Sequence, residues 1–511
     1  MQTLDLIIIF GYLIGITAFG ILFSGKQETT EDYFVGDRSV PWWAIAMSIV
    51  ATETSTITFV SVPGIAFAKG GNFQFLQLVF GYMLGRIVIS LIFIPMYFKG
   101  ELQTVYQLLG DRFGNRVKML ASALFVVMRN IADGVRLLLT AIVLAAVYTS
   151  FYPGSDASTI IIASIVLLGI VMIIFTFYGG MEAVIWVEVV QLVIYIGGAI
   201  AAAVVLIQNI DGGMSTAMSL GEQFNKFSVF DFGWDMTKTY TFWAGLFGGC
   251  FLTMSTHGTD QYLVQRYLCT KKPSSAATAL LSSGAVVLGQ FIGFLFIGVL
   301  LFAFYAPFNS ADYANAGVAG SGISANFPFL KGDQVFPNFI TEHMPPGLSG
   351  LVVAAIFAAA LSSSLNSIAA TAINDLYKPF AKNITDSHLV KLAGILTVII
   401  GIVQILVAIA FMNSGESALG LALAVASLIN GPVLGVFLVG SFMKRASEIH
   451  ALIGMIVSIL AMTYIMLATN KIVDGPIIAW TWYALIGSVI TFSTAFLASL
   501  ILPTKNNEVS L

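Results

Sequence analysis

The chain has 511 residues, of which 58% are hydrophobic and only 10% charged, and its mean hydropathy is +0.91. A soluble protein of this length needs more polar surface than this composition supplies, so the sequence predicts an integral membrane protein. The formal net charge of −3 and the lack of a basic block argue against nucleic-acid binding.

Apolar runs of about 20 residues, the length that crosses a bilayer as a helix, recur along the whole chain. Each run should be helical, because lipid offers the backbone no hydrogen bonds. We expect an all-α polytopic protein, one transmembrane domain over 1–511, with thirteen spans near 4–24, 41–68, 73–98, 119–149, 158–178, 183–207, 241–265, 279–305, 347–377, 389–412, 417–442, 450–469 and 478–502.

An odd number of spans places the two ends of the chain on opposite sides of the membrane, and lysines and arginines indicate which side is which. One set of loops holds Lys26, Arg38, Lys99, Arg112, Arg116, Lys118, Arg266, Lys271, Lys272, Lys378, Lys382, Lys391, Lys444, Arg445 and Lys505. The other set holds only Lys69, Lys226, Lys238, Lys331 and Lys471. Because cytoplasmic loops are the basic ones, we expect the N-terminus outside, the C-terminus inside, and a multi-pass protein of the cell's inner (plasma) membrane.

The second expected span carries an unusually polar stretch, "SIVATETSTITFVSVPG" at 48–64. It combines Glu53 with a run of hydroxyl side chains and then Pro63 and Gly64. Proline removes a backbone donor and opposes a continuous helix. The pattern predicts a broken helix whose carbonyl groups and hydroxyls serve a ligand inside the membrane.

Other charged residues also fall within expected spans, where each is a functional candidate unless it is paired or hydrated. We expect Arg86 and Arg129 near span ends, where long side chains reach the headgroups. Asp133 and Arg136 are three residues apart on one helix and either neutralise each other or serve the site. Glu53 needs a partner, because an isolated carboxylate at that depth takes up a proton. We expect that partner to be Arg129 or Arg136.

A second polar cluster, "AAIFAAALSSSLNSIAATAINDLY", occupies 354–377. Its hydroxyls are either contacts between helices or ligands. Carbonyl groups of an unwound helix together with hydroxyls of a neighbouring helix supply the five or so oxygens that sodium needs. Residues 51–58 offer the carbonyl groups, and Ser362 and Ser363 offer the hydroxyls, so the two clusters together predict one sodium site.

These two stretches, with three others in the same order, resemble the sodium:solute symporter family, which includes bacterial proline, galactose and sialic acid carriers. The matching segments are "DYFVGDRSVPWWAIAMSIVATETS" (32–55), "TFYGGMEAVIWVEVVQ" (176–191), "DQYLVQRYL" (260–268), "AAIFAAALSS" (354–363) and "GPVLGVFLVGSFMKRA" (431–446). The resemblance implies a leucine-transporter-type core. Its two inverted five-helix repeats would cover 41–207 and 241–442 with spans 2 and 7 broken, leaving 4–24 and 450–502 peripheral.

The resemblance also implies the ligands of the sodium ion. They are backbone oxygens of Ala51, Thr54 and Ala359 and the side chains of Ser362 and Ser363. The interval from these serines to Asp375-Leu376-Tyr377 is about one helical turn shorter than in relatives. An alignment anchored downstream would place Ala359 and Ala360 at the serine positions, and the intact Ala-x-x-Ser-Ser pattern favours the upstream anchor.

Two further features separate this chain from some relatives. Glu188 stands where those relatives have an aspartate that helps a second ion to bind, so it either binds an extra ion, carries a proton or pairs with an intramembrane arginine. No arginine aligns with the one that grips the sugar carboxylate in sialic acid carriers. The resemblance implies solute contacts at Ser55, Thr58, Phe73 and Gln77, and span 7 adds Thr256, Asp260 and His257, the last interpreted as a packing residue.

The function predicted from these features is symport of a small polar organic solute, such as a sugar or sugar acid, driven by sodium through alternating access in a monomer. The alternative within the fold is a proton-coupled or amino-acid or carboxylate symporter. An intramembrane enzyme would need Glu53, His257 and Asp260 to converge, and neither an HExxH pair nor a Ser-His-Asp pattern is present. A transporter-like sensor would need a signalling domain. The sequence has no Walker motif, the pattern that would indicate use of ATP.

Overall fold

The computed structural model describes residues 1–22, 29–100, 102–152, 154–305, 332–361, 364–381, 385–412 and 418–502. Within these ranges the protein is all-helical, without strands. The helices are α1 (Thr3–Leu22), α2 (Thr30–Val35), α3 (Trp42–Glu53), α4 (Thr56–Phe67), α5 (Leu76–Tyr97), α6 (Gln107–Phe113), α7 (Asn115–Phe151), α8 (Ala157–Asn209), α9 (Gly213–Gln223), α10 (Gly249–Gly258), α11 (Gln261–Leu268), α12 (Pro273–Tyr305), α13 (Val335–Glu342), α14 (Leu348–Leu361), α15 (Leu365–Thr371), α16 (Asp386–Phe411), α17 (Ala418–Phe442), α18 (Glu448–Thr469) and α19 (Tyr483–Ile501).

Nine helices among the described residues are long and apolar enough to cross a membrane, or ten if the bent pair α3 and α4 counts as one span. The protein is therefore a multi-pass membrane protein. The four expected spans without a helix that meets this test by itself are 41–68, 241–265, 347–377 and 417–442. The first three are divided into shorter helices, so length and hydropathy alone do not verify the predicted total of thirteen.

Breaks and π-turns interrupt several of the helices. A π-helical turn, Ala244–Gly248, precedes α10, and another, Ala372–Tyr377, follows α15. The long element α8 kinks at Gly180, whose φ of 57° and ψ of −166° lie outside helical values. Such conformations are easily reached only without a Cβ atom.

The core is built by α5, α7, α8, α10 and α12, with α3 and α4 packed against α8 and α12. Helix α1 packs on α8 and α14, while α18 and α19 pack on α17 and on each other at the other edge. Lipid-facing side chains such as Leu91 and Leu460 are apolar and well exposed, as a bilayer requires.

Loops that the predicted topology places on one side of the membrane do contact each other. Thr104 donates from its Oγ1 to Asp375 Oδ1 at 2.9 Å, joining the segment after the expected span 73–98 to the end of the expected span 347–377. Arg112 Nη2 donates to the carbonyl groups of Met443 and Lys444, each at 3.0 Å. These contacts support the predicted alternation of the loops, and the direction of the chain in the membrane stays a prediction.

Candidate functional site

The polar stretch at 48–64 contains a sharp break between two helices. Helix α3 ends at Glu53 and α4 begins at Thr56, and the two segments meet at 61°. Thr54 and Ser55 between them are extended, and the Ser55 N–H points to Thr58 Oγ1 at 3.4 Å. The last carbonyl groups of α3 and the first N–H groups of α4 therefore lack helical partners at the same place.

A cavity of about 430 Å³ opens beside this break. Its wall combines hydroxyls, amides, aromatic rings and charged side chains, among them Thr52, Glu53, Thr54, Ser55, Thr58, Ser61, Phe75, Tyr82, Arg129, Arg136, Tyr240, Thr253, Thr256, His257, Asp260, Tyr262, Gln290, Phe291, Asn430 and Trp480. Apolar walls with a few convergent polar groups are typical of sites for small molecules.

The predicted solute residues fall into two groups. Ser55, Thr58, Thr256 and Asp260 line the cavity. Phe73 and Gln77 do not, although both are buried next to it. The Phe73 ring packs on Phe227 at 5.5 Å between centroids.

The amide of Gln77 holds the loop between α9 and α10 instead of the cavity wall. Its Oε1 accepts from the Asp231 N–H at 2.9 Å, and its Nε2 donates to the Tyr240 carbonyl at 3.3 Å. Tyr240 itself lines the cavity. Gln77 thus acts on the cavity wall through this loop.

The structure describes only some of the residues predicted to bind sodium. Ala51 lies in the last turn of α3 and Thr54 in the break, where carbonyl groups are released from the helix. The Thr54 hydroxyl is joined to Gln290 on α12, whose Nε2 donates to Oγ1 at 2.7 Å. The backbone of Ala359 belongs to α14, and Ser362 and Ser363 lie outside the described residues. The sodium ligand set stays a prediction.

Glu53 at the end of α3 is paired with an arginine that the sequence had placed elsewhere. Its Oε2 accepts from Arg86 Nη2 on α5, and its Oε1 lies 3.4 Å from His257 Nε2 on α10. The expected partners, Arg129 and Arg136, are not its partners here. Arg86 does not reach the headgroups either, because its side chain is fully buried.

The reason for this difference is geometric. Residue 86 lies in the middle of α5, and that helix packs closely on α10 through glycines. The guanidinium is therefore held in the core beside the break in α3. Charge pairing compensates the desolvation that a lone arginine would suffer at this depth.

Arg129 and Arg136 belong to a second group of charges, centred on Asp133. Arg129 donates to both carboxylate oxygens of Asp133, from Nε at 3.2 Å and from Nη2 at 3.0 Å. Arg136 Nη1 lies 3.7 Å from Asp133 Oδ1, so the neutralisation considered for these two residues occurs, with Arg129 as a third member.

This second group of charges also contacts the start of α11 and the chain between α14 and α15. Arg129 Nη1 lies 3.6 Å from Asp260 Oδ2, and its guanidinium lies 4.0 Å from the centroid of the Tyr262 ring. Ser364, which follows the predicted sodium serines, donates to Asp133. The charges thus join α7, the start of α11 and the chain between α14 and α15.

Glu188 on α8 pairs with Arg266. Pairing with an intramembrane arginine is one of the three roles that the sequence left open for Glu188. Both side chains are buried, and Arg266 Nε lies 3.2 Å from Glu188 Oε2. Ser48 and Thr52 of α3 also donate to this carboxylate, Thr52 at 3.2 Å. Arg266 was expected in a cytoplasmic loop. It lies on α11, fully buried, because the break at Thr259 and Asp260 starts a further helix there.

Lys226, expected in an outer loop, is also buried. Its Nζ donates to the carbonyl groups of Ala66, Phe67 and Ala68 at 3.0, 3.1 and 2.7 Å, and it lies 4.5 Å from the Phe302 ring centroid. It thereby caps the C-terminal end of α4, where a positive group interacts favourably with the helix dipole. Burial lowers the pKa of Lys226 to about 7.

Several cavity residues, and the buried position of Arg266, were missed from the sequence. Gln290 stands alone in the apolar α12, and its isolation was a usable signal, because a lone amide inside a span needs a partner. Arg266 stands in the quoted segment "DQYLVQRYL", where the nearby polar residues Asp260, Gln261 and Gln265 could have indicated burial. Tyr82 and Trp480 carried no signal that separates them from lipid-facing aromatics.

Comparison with known proteins identifies the family. The model of the sodium:solute symporter family matches residues 33–458. The chain belongs to the sodium:solute symporter family. The resemblance inferred from the five quoted segments is thereby confirmed, and the membrane helices agree with a transport protein of this family.

Members of the family with known roles include close relatives of the whole chain. The chain is 31% identical over 505 residues to the sodium/sialic acid symporter NanT of Aliivibrio fischeri, covering 97% of this chain and 93% of that protein. A solved sodium-coupled sialic acid symporter, in a substrate-bound outward-open state, has a TM-score of 0.83 and 29% identity, covering 99% of this chain and 100% of that one. A transporter of the nucleobase-cation-symport-1 family, with a TM-score of 0.54 and 12% identity over 95% of this chain and 98% of that one, shares the fold alone.

Proposed function

We propose that the chain is a sodium-coupled secondary symporter that carries a small polar organic solute across the plasma membrane. The observation that carries this proposal is the cavity beside the break between α3 and α4. Carbonyl groups released at the break, hydroxyls and charged groups meet there, as sodium and a polar solute both require. The protein acts as a carrier and not as an enzyme.

The proposal includes the finer architecture expected from the sequence. Thirteen spans would form two inverted repeats, 41–207 and 241–442, with 4–24 and 450–502 outside them. The helices interrupted after Glu53 and at Thr259 and Asp260 would be the two discontinuous helices at the repeat interface. Alternating access would move the repeats around the fixed cavity, with the N-terminus outside and the C-terminus in the cytoplasm.

Within the cavity we assign sodium to the carbonyl groups of Ala51, Thr54 and Ala359 and to Ser362 and Ser363. The solute would lie against Ser55, Thr58, Thr256 and Asp260, between aromatic walls. The aromatic faces and hydroxyls suit sugars and sugar acids, and the sialic acid carriers among the relatives support the same class. Glu188 is paired with Arg266, so a second ion at Glu188 would have to share its carboxylate with that arginine.

Uptake into proteoliposomes tests the proposal. Vesicles containing the purified protein are given an inward gradient of sodium chloride, or of choline chloride as the control, with a panel of labelled sugars, sugar acids and amino acids. We expect one solute class to accumulate only with sodium. A sodium-independent uptake driven by an inward proton gradient would support the proton-coupled alternative, and no uptake of any member under either gradient would contradict the proposal for this panel.

A further inference from the structure

Asp5 in the first helix is a fully buried carboxylate that binds the start of a distant helix. Its Oδ1 accepts from the Gly347 N–H at 2.7 Å, the Ser349 hydroxyl at 2.7 Å and the Gly350 N–H at 2.9 Å. Its Oδ2 accepts from the Gln2 N–H at 2.6 Å. Two helices more than 300 residues apart in sequence are therefore joined through one side chain.

At the start of α14 the N–H groups are divided between two acceptors: the Pro345 carbonyl accepts from Leu348 and Ser349 at 3.1 and 3.2 Å, and Asp5 accepts from Gly350. The helix begins at Leu348, follows a glycine and has no acidic residue in its first turn. The first N–H groups of any helix lack helical acceptors, and a carboxylate there also interacts favourably with the helix dipole. Asp5 supplies from α1 what Ser, Thr, Asp or Asn usually supplies from the residue before the helix.

The backbone around the contact is fitted to Asp5. Gly347 has a φ of +87°, a conformation that other residues rarely adopt. A Cβ atom at Gly350 would lie 2.7 Å from Asp5 Cα. Gly347 and Gly350 therefore permit the close approach of α1 to α14.

Helix α14 runs as one 14-residue element from this cap to the segment predicted to bind sodium. Ala359 lies in its last turn, and Ser362 and Ser363 follow it directly. A helix of this length transmits a shift at its first turn to its last, because its packing density resists local compression. Loss of the cap would move or fray α14 and change the distances among the sodium ligands.

We propose that Asp5 is a positioning residue for sodium binding: from the helix expected to be peripheral, it fixes α14 and thereby the sodium affinity. The proposal rests on the proposed sodium symport. It assigns to α1 a role in ion coupling that neither its position at the edge of the bundle nor its apolar sequence indicates.

The test titrates the purified full-length protein with sodium chloride, at constant ionic strength with choline chloride, and follows thermal unfolding by intrinsic fluorescence. The measured quantity is the sodium concentration at half of the maximal stabilisation. Asp5→Ala should raise this concentration about 2- to 10-fold, the range expected for a lost helix cap. Asp5→Asn keeps an Oδ1 acceptor for the three donors and should recover most of the wild-type value.

Asp156→Ala is the matched control, because Asp156 caps the start of α8 from an exposed position and contacts only that helix. It should leave the half-maximal sodium concentration unchanged. If Asp5→Ala is not recovered as folded protein, Ser349→Ala removes one of the three bonds and should produce a smaller shift in the same direction. Unchanged sodium affinity in Asp5→Ala, or in Ser349→Ala when Asp5→Ala does not fold, overturns the proposal.

The two proposals fail in different ways. A wild-type protein that shows neither stabilisation by sodium nor sodium-driven uptake would refute the symport itself. A wild-type protein that responds to sodium, together with a folded Asp5→Ala variant that responds at the same concentration, would refute only the role of Asp5. A lower melting temperature without a change in the half-maximal sodium concentration would show that Asp5 is structural alone.

Discussion

Arg86 and Glu53 form a buried ion pair across the break between α3 and α4, with His257 at the second carboxylate oxygen. Arg86 is fully buried on α5, whereas 18% of the Glu53 side chain is exposed to the cavity. The pair thus fixes the end of α3, and the Glu53 carboxylate remains part of the cavity wall. Its two members are 33 residues apart and lie on different helices, so only the tertiary structure reveals them as partners.

The first prediction is that Glu53→Gln destabilises the protein, because Arg86 is left buried without its counter-charge. We expect a loss on the order of 3 kcal/mol in the free energy of unfolding. Thermal or denaturant unfolding in detergent measures it. The double variant with Arg86→Gln should recover part of the loss, since it removes both charges. A stable Glu53→Gln variant with altered solute selectivity would instead show that Glu53 binds the solute.

The second prediction concerns Glu188 and Arg266. If the arginine is the main partner of the carboxylate, Glu188→Gln should lower stability by about 3 kcal/mol without changing the shape of the sodium dependence. The Hill coefficient of sodium-driven uptake is the measurement. A change from sigmoidal to hyperbolic sodium dependence in this variant would show that Glu188 binds a second sodium ion.

The third prediction follows from Lys226 at the end of α4. Its folded-state pKa near 7 lies below the ordinary value of 10.5, so between these pH values the unfolded chain binds the extra proton. The contribution of Lys226 to stability should therefore stay constant at its lowest level below about pH 7, where both states are protonated, and rise as the pH rises from about 7 to about 10.

Lys226→Met is the reference for this measurement, since it cannot titrate and removes the ammonium that donates to the three carbonyl groups. The difference in melting temperature between wild type and variant should widen with pH. A difference that stays constant or narrows would mean that the three carbonyl groups and the helix dipole keep the ammonium charged.

The fourth prediction concerns the close packing of α5 on α10. A Cβ atom at Gly81 would lie 2.0 Å from the Gly245 carbonyl oxygen and 2.9 Å from the Cys250 nitrogen. Gly81→Ala should separate these helices and destabilise the protein by about 1–3 kcal/mol or more. The control is Gly197→Ala, in α8, where no atom lies within 4 Å of the added carbon. That variant should be neutral or slightly more stable, because alanine favours helix.

The sequence predicted the fold class and the position of the site from features that are local. Runs of apolar residues predict helices, and the clustered hydroxyls of 48–64 indicated where the cavity lies. It did not predict the partners of the charges. Arg86 and Arg266 were expected near headgroups or in a loop, because hydropathy windows register charges and not the faces of helices on which they lie.

The same limit explains the two predicted solute residues that lie outside the cavity. Phe73 and Gln77 are carried over by alignment alone. Phe73 lies just before α5 and Gln77 in its first turn, and residues of the loop between α9 and α10 take up their contacts. Asp5 shows the opposite case. Its role depends on a helix more than 300 residues away, and a single acidic residue at the start of an apolar run does not indicate it.

The last prediction addresses the sodium ion itself. Ser362 and Ser363 follow α14 and precede Ser364, which donates to Asp133 beside the cavity. If the Ala-x-x-Ser-Ser pattern is the sodium motif, replacing both serines by alanine removes two of about five oxygen ligands and should abolish sodium-stimulated uptake. The variant should stay folded, because a methyl group occupies no more volume than the hydroxymethyl group that it replaces. Ser283→Ala is the control, since that hydroxyl donates only to the Leu280 carbonyl within α12. A double variant that keeps the wild-type sodium affinity would show that the downstream alignment, with Ala359 and Ala360 at the serine positions, is the right one.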